Sequence, residues 1–148
     1  MSQHNRYLSF DISTNATVFE FTSSGPKGEI KKIIQFSETK AENIFNLAFG
    51  NINEDGSIDD VTTNDNKDRD KILATVATAV YDFTSRYPEH HVFFTGSSTE
   101  RTRLYRMALT INQQELAETF NIWGLREEGG FEPFEKRRNY NGFLIKRK

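Results

Sequence analysis

Apolar positions along the chain follow two periods, and the change from one to the other divides it into elements. Residues 6–12 read as a short strand, and Thr17 to Ser23 alternates as T-V-F-E-F-T-S. Glu29 to Phe36 is a second, Ile-rich strand, reached through Ser24-Gly25-Pro26-Lys27-Gly28, so a hairpin is expected. Asn43 to Ile52 reads as another strand, and the polar stretch from Asn53 to Asp70 as a loop. From Lys67 to Tyr87 the period lengthens. Ile72, Leu73, Val76, Ala77, Val80, Phe83 and Tyr87 recur three and four apart, and Pro88 follows, which predicts a helix.

His91 to Thr95 has the length of a buried strand. Ser97-Ser98-Thr99-Glu100 then matches a capping box with Ser97 at the cap, opening a helix over residues 98–111. Leu104, Ala108 and Ile111 share one face of it, with Tyr105 beside them. Residues 113–120 read as a further helical piece, and 121–125 and 140–146 as closing strands. The expected architecture is α+β, a mixed, mainly antiparallel sheet carrying two main helices. A crossover through residues 45–95 is right-handed if its strands are parallel. No repeat, linker or low-complexity tract interrupts the 148 residues, so one domain is expected over 1–148.

Composition narrows the classes. The chain is 36% hydrophobic and holds 13 Phe, far from a disordered composition. It has no Cys, which removes disulfides, thiolate metal sites and a Cys nucleophile together. No apolar run approaches membrane-spanning length and residues 1–5 lack an apolar signal core, so a cytoplasmic chain without a membrane partner is expected. The net charge of -2 gives no overall attraction to nucleic acid. Charge is nonetheless uneven. Glu54, Asp55, Asp59, Asp60, Asp65, Asp68 and Asp70 crowd residues 51–70, while Arg126, Lys136, Arg137, Arg138, Lys146, Arg147 and Lys148 enrich the C-terminal segment. Two solvated surfaces account for this, and so does a basic face for phosphate.

The densest chemistry lies from Val92 to Arg106, V-F-F-T-G-S-S-T-E-R-T-R-L-Y-R. A strand, a glycine and a helix start bring backbone N–H groups, hydroxyls and guanidinium groups into one region, the makings of an anion site. The candidate anion-binding residues are Gly96, Ser97, Ser98, Thr99, Arg101, Arg103 and Arg106. Arginine early in a helix opposes the macrodipole, so each needs a partner. Either a carboxylate such as Asp59 or Asp68 or a bound anion would serve. Ser97 and Ser98 read as caps, not nucleophiles.

Other patterns are weaker. Asn51-x-Asn53-x-Asp55-Gly56-x-Ile58-Asp59 has the spacing of a calcium loop, but Thr62 stands where the bidentate Glu belongs and no helix precedes it. A turn-rich loop is expected there. His90 and His91 read as a strand entry, and no His, Asp and Glu spacing makes a metal set. Phe131, Phe134, Tyr140 and Phe143 interleave with Arg126, Lys136, Arg137 and Arg138. That mixture suits either a single-stranded nucleic acid surface or an apolar strand edge with solvated charge.

Two resemblances follow from these residues. The element order over residues 28–148, with Leu104-Tyr105 on the helix after the strand, resembles the acyl-CoA N-acyltransferase (GNAT) architecture. The resemblance implies that Tyr105 is a catalytic residue, protonating a departing coenzyme A thiolate. That family opens its long helix with a glycine-rich Q/R-x-x-G-x-G/A turn. Here Thr63-Asn64-Asp65-Asn66-Lys67-Asp68-Arg69-Asp70 stands instead, without glycine and with three aspartates, so acyl-CoA is not expected as a ligand. The segment Gly96 to Arg106, G-S-S-T-E-R-T-R-L-Y-R, resembles the signature of a small bacterial family known as domain of unknown function 6934, which implies no activity.

The expected function is a non-catalytic binding or regulatory protein with an anion site over residues 96–106. Its ligand would be a phosphate, a nucleotide, a nucleic-acid backbone or an acidic protein surface, with no resident cofactor. The alternative is a toxin–antitoxin or phage-defence enzyme, either a divergent acyltransferase using Tyr105 or a metal-independent ribonuclease using Arg101, Arg103 and Tyr105. The sequence sets no oligomeric state.

Overall fold

A computed structural model describes residues 6–7, 11–59 and 67–148. Three helices and a mainly antiparallel set of strands make the described chain α+β. It divides into two compact units, one formed by residues 1–37 and 48–86, the other by 38–47 and 87–148.

The first unit holds β1 (Asp11–Ile12), β2 (Val18–Gly25) and all but the last residue of β3 (Gly28–Glu38). It also holds residues 48–52 of β4 (Ile44–Ile52), then β5 (Ile58–Asp59) and α1 (Arg69–Arg86). The expected hairpin is present: β2 pairs antiparallel with β3 from Val18↔Gln35 to Gly25↔Gly28. Gly28 sits at φ 90°, a left-handed conformation that costs glycine little. The strict alternation of β2 buries Phe19, Phe21 and Ser23 on one face. Helix α1 buries Ala74, Val76, Ala79, Val80 and Phe83, with the Phe83 ring stacked on Phe36 at 4.2 Å. Ile72 is only half-buried.

Asp68, just before α1, accepts from the Tyr7 hydroxyl and from Ser23 Oγ at 2.5 Å. It therefore serves its own unit. Burial, then the hydrogen bond to Asp68, raises the Tyr7 pKa. The calcium-like spacing is a turn, as expected. Gly56 N–H donates to the Asn53 carbonyl, and Asp55 Oδ1 accepts from Ser57 N–H and Oγ. Those contacts lower the Asp55 pKa. Within the stretch read as a loop, Ile58 and Asp59 pair with β4 as a two-residue strand. Among the described residues, no group of three or more acidic and His side chains could hold a metal ion.

The second unit holds residues 44–47 of β4, then β6 (His91–Phe94), α2 (Thr99–Ile111) and α3 (Gln113–Thr119). It closes with β7 (Phe120–Leu125), β8 (Phe131–Pro133) and β9 (Gly142–Arg147). Its strand order is β4-β6-β9-β7-β8, with β4 and β6 parallel and the other pairs antiparallel. The last strand of the sequence is thus interior, inserted between β6 and β7. Its run Gly142-Phe143-Leu144-Ile145 is buried throughout, the pattern of a strand covered on both faces. Phe143 is fully buried, with ring centroids of Phe94, Phe134 and Tyr140 at 5.5, 6.0 and 6.1 Å. Pro133, which has no N–H to donate, lies on the edge strand β8.

Two expectations in α2 are corrected. The cap is Ser98, not Ser97: Ser98 is extended at φ -141° and its Oγ accepts from Arg101 N–H. The buried face is Tyr105 and Leu109, while Ile111 is 78% exposed. Leu104 and Ile111 are apolar and correctly spaced, but the helix docks through its largest ring, set edge-on to Phe94 at 5.5 Å.

Candidate functional site

The junction between β6 and α2 is fixed by a few short-range bonds. Thr102 Oγ1 accepts from Gly96 N–H at 3.0 Å and donates to the Ser98 carbonyl at 3.1 Å. The Gly96 amide is therefore committed, and not open to a ligand. A Cβ on Gly96 would lie 2.4 Å from Thr102 N and 2.7 Å from Arg101 C, so helix backbone passes too close for any side chain. Gly96→Ala must push α2 away. The expected cost is about 1–3 kcal/mol, read as a lower urea midpoint at unchanged slope. Wild-type stability in that variant would contradict the close approach.

Beside this junction is a cleft of about 430 Å³. One wall is the junction and α2: Thr95 to Thr99, Thr102, Arg103 and Arg106. The other is made by Glu127, Asn139, Tyr140 and Asn141. The pairing of β9 with β6 brings the second wall to the first, and Thr95 Oγ1 donates to the Asn141 carbonyl at 2.6 Å. Asn141 N–H donates to the Leu125 carbonyl at 2.8 Å. Tyr140 is held at both ends. Its hydroxyl donates to Glu132 Oε2 at 2.8 Å and accepts from Glu135 N–H at 3.1 Å. Its ring lies over Gly124, where a Cβ would come within 2.4 Å of it. Burial, then the Glu132 contact, raises the Tyr140 pKa, so it is a neutral wall at neutral pH. Glu127 projects from the Arg126–Gly130 turn, in which Gly129 and Gly130 take φ of 99° and 85°.

Six of the seven anion-site candidates line this cleft: Gly96, Ser97, Ser98, Thr99, Arg103 and Arg106. Arg101 does not line it and is half-buried. Tyr105 is 7% exposed in the core and is not a cleft residue either. Two other arginines of the unit are paired. Arg138 meets Glu132 and Glu135, each at 3.2 Å, and Arg126 meets Glu128 at 3.6 Å. Among the described residues, the side chains of Arg103 and Arg106 make no ion pair or hydrogen bond. Set three residues apart, they share one face of α2, where like charges oppose each other. The amides of Thr99 and Glu100 at the helix start have no acceptor within the helix. The arrangement supplies charge, hydroxyls and the positive end of a helix dipole to one cavity.

Sequence reasoning missed Glu127, Asn139 and Asn141, and met Tyr140 only as an aromatic among basic residues. No local signal marks them, because they reach the cleft through strand insertion. The basic and aromatic stretch resolves mostly as core: Phe134, Tyr140 and Phe143 are buried, and Arg138 is paired. Phe131 stays 45% exposed. At the strand entry, burial and then the Lys146 charge lower the His91 pKa. Residues 60–66, which include the first four of the eight residues where a coenzyme A turn was sought, lie outside the described residues. No described helix is long and apolar enough to cross a membrane.

A fold and cleft of this kind define an α+β chain with a cationic pocket at a strand–helix junction. By sequence, the chain belongs to a family of unknown function, DUF6934, whose model matches residues 3–148. No curated protein and no solved structure matches it.

Proposed function

We propose that this chain is a binding protein for a phosphate-class anion, held in the cleft between α2 and the Asn139–Asn141 segment. The observation that carries the reading is the pair Arg103 and Arg106, which face a cavity without a carboxylate partner among the described residues. A guanidinium offers a planar fork of donors that matches phosphate oxygens, and two of them on one helix face favour a bound anion over an empty site. The acyltransferase-like element order serves in this reading as a scaffold for the cleft, without coenzyme A chemistry. The burial of Tyr105 against Phe94 favours a core role over proton donation to a thiolate.

The test is isothermal titration with inorganic phosphate at low and moderate salt. Wild type is expected to bind, with affinity falling as salt rises. Arg103→Ala with Arg106→Ala is expected to remove the binding while the urea midpoint holds, because neither side chain has a hydrogen bond or ion pair to lose. Equal binding by wild type and double variant would move the anion elsewhere. Unfolding of the double variant would make the arginines structural.

A further inference from the structure

We propose that the cleft is a mononucleotide site, with Arg103 and Arg106 on the phosphate and the Glu127, Asn139 and Asn141 wall on the nucleoside. The inference rests on the anion reading above and specifies its ligand. Size is the first argument. At about 430 Å³ the cleft falls in the range of organic ligand pockets, and a bare phosphate would leave most of it filled with water.

The two walls also differ in chemistry. Both arginines lie on α2. Opposite them are two carboxamides and a carboxylate. Among the described residues, the Asn139 and Asn141 side chains make no hydrogen bond. Each carboxamide offers a donor and an acceptor, the combination that reads a base edge or a ribose hydroxyl. The Glu127 carboxylate only accepts, so a ligand that reaches it must bring a donor to replace water. A fully ionised phosphate has none, whereas ribose hydroxyls and exocyclic base amines do. Charge then limits the number of phosphates. Two guanidinium groups against one carboxylate suit a single phosphate, and further phosphates extended toward Glu127 would be repelled. The site should therefore favour a nucleoside monophosphate over its triphosphate and over phosphate alone.

Titration of the full chain with inorganic phosphate, with the four common ribonucleoside 5′-monophosphates, and with their triphosphates tests this. At least one monophosphate is expected to bind about tenfold more tightly than inorganic phosphate and more tightly than its own triphosphate. Glu127→Gln is expected to shrink both preferences by about fivefold. Its urea midpoint should not move, since Glu127 is exposed on a turn. If phosphate and every monophosphate bind alike, the nucleoside wall is wrong and the anion site survives. If none binds, both readings fall. Tighter binding of a 5′-phosphorylated trinucleotide than of any mononucleotide would overturn the proposal in favour of a nucleic-acid end.

Discussion

Phe143→Ala is expected to cost the protein about 3–5 kcal/mol, near the upper range for a single core truncation. Phe143 is fully buried. It sits on the interior strand β9, against Phe94 of β6 and against Phe134 and Tyr140. Removing the ring leaves a void that those three aromatics can close only by leaving their own positions. Two of the neighbours serve the cleft: Tyr140 lines it, and Phe94 ends the strand that leads to it. Loss of anion affinity should therefore accompany loss of stability. Urea unfolding followed by Trp123 fluorescence, together with a phosphate titration, reads both. A cost below about 1 kcal/mol would mean that the aromatic cluster does not organise this unit.

Val76→Asp is expected to destabilise the first unit by more than about 3 kcal/mol at neutral pH. Val76 is 8% exposed on the face of α1 that also buries Ala79, Val80 and Phe83. The direction with pH follows from linkage. Burial raises the folded-state pKa of the new carboxyl above its unfolded value near 3.9. The folded state then holds the proton more tightly. The penalty is small below about pH 4 and grows as pH rises through the folded-state pKa. Thermal unfolding of the variant and wild type at pH 4 and pH 7 should show the gap widening at pH 7. A gap independent of pH would point to shape rather than charge.

Elements set by local pattern were legible in the sequence. The β2–β3 hairpin follows from alternation and a Gly-Pro-Lys-Gly turn, and α1 from apolar spacing ended by Pro88. Features set by tertiary choice were not. Whether Ser97 or Ser98 caps α2 depends on how Thr102 holds Gly96, which no local propensity encodes. The run Phe143-Leu144-Ile145 signals a strand covered on both faces, but not that it enters between β6 and β7. That insertion is why only the α2 wall of the cleft could be read in advance. Gly96 to Arg106 is contiguous, whereas Glu127, Asn139 and Asn141 arrive from over twenty residues downstream.

The most direct test of the central claim is an amide chemical-shift titration of the protein with inorganic phosphate. The cleft reading predicts saturable shifts at Ser98 to Glu100, Arg103, Arg106 and Asn139 to Asn141, abolished in the Arg103→Ala, Arg106→Ala double variant. Shifts confined to Lys136–Arg138, or shifts that persist in the double variant, would contradict it.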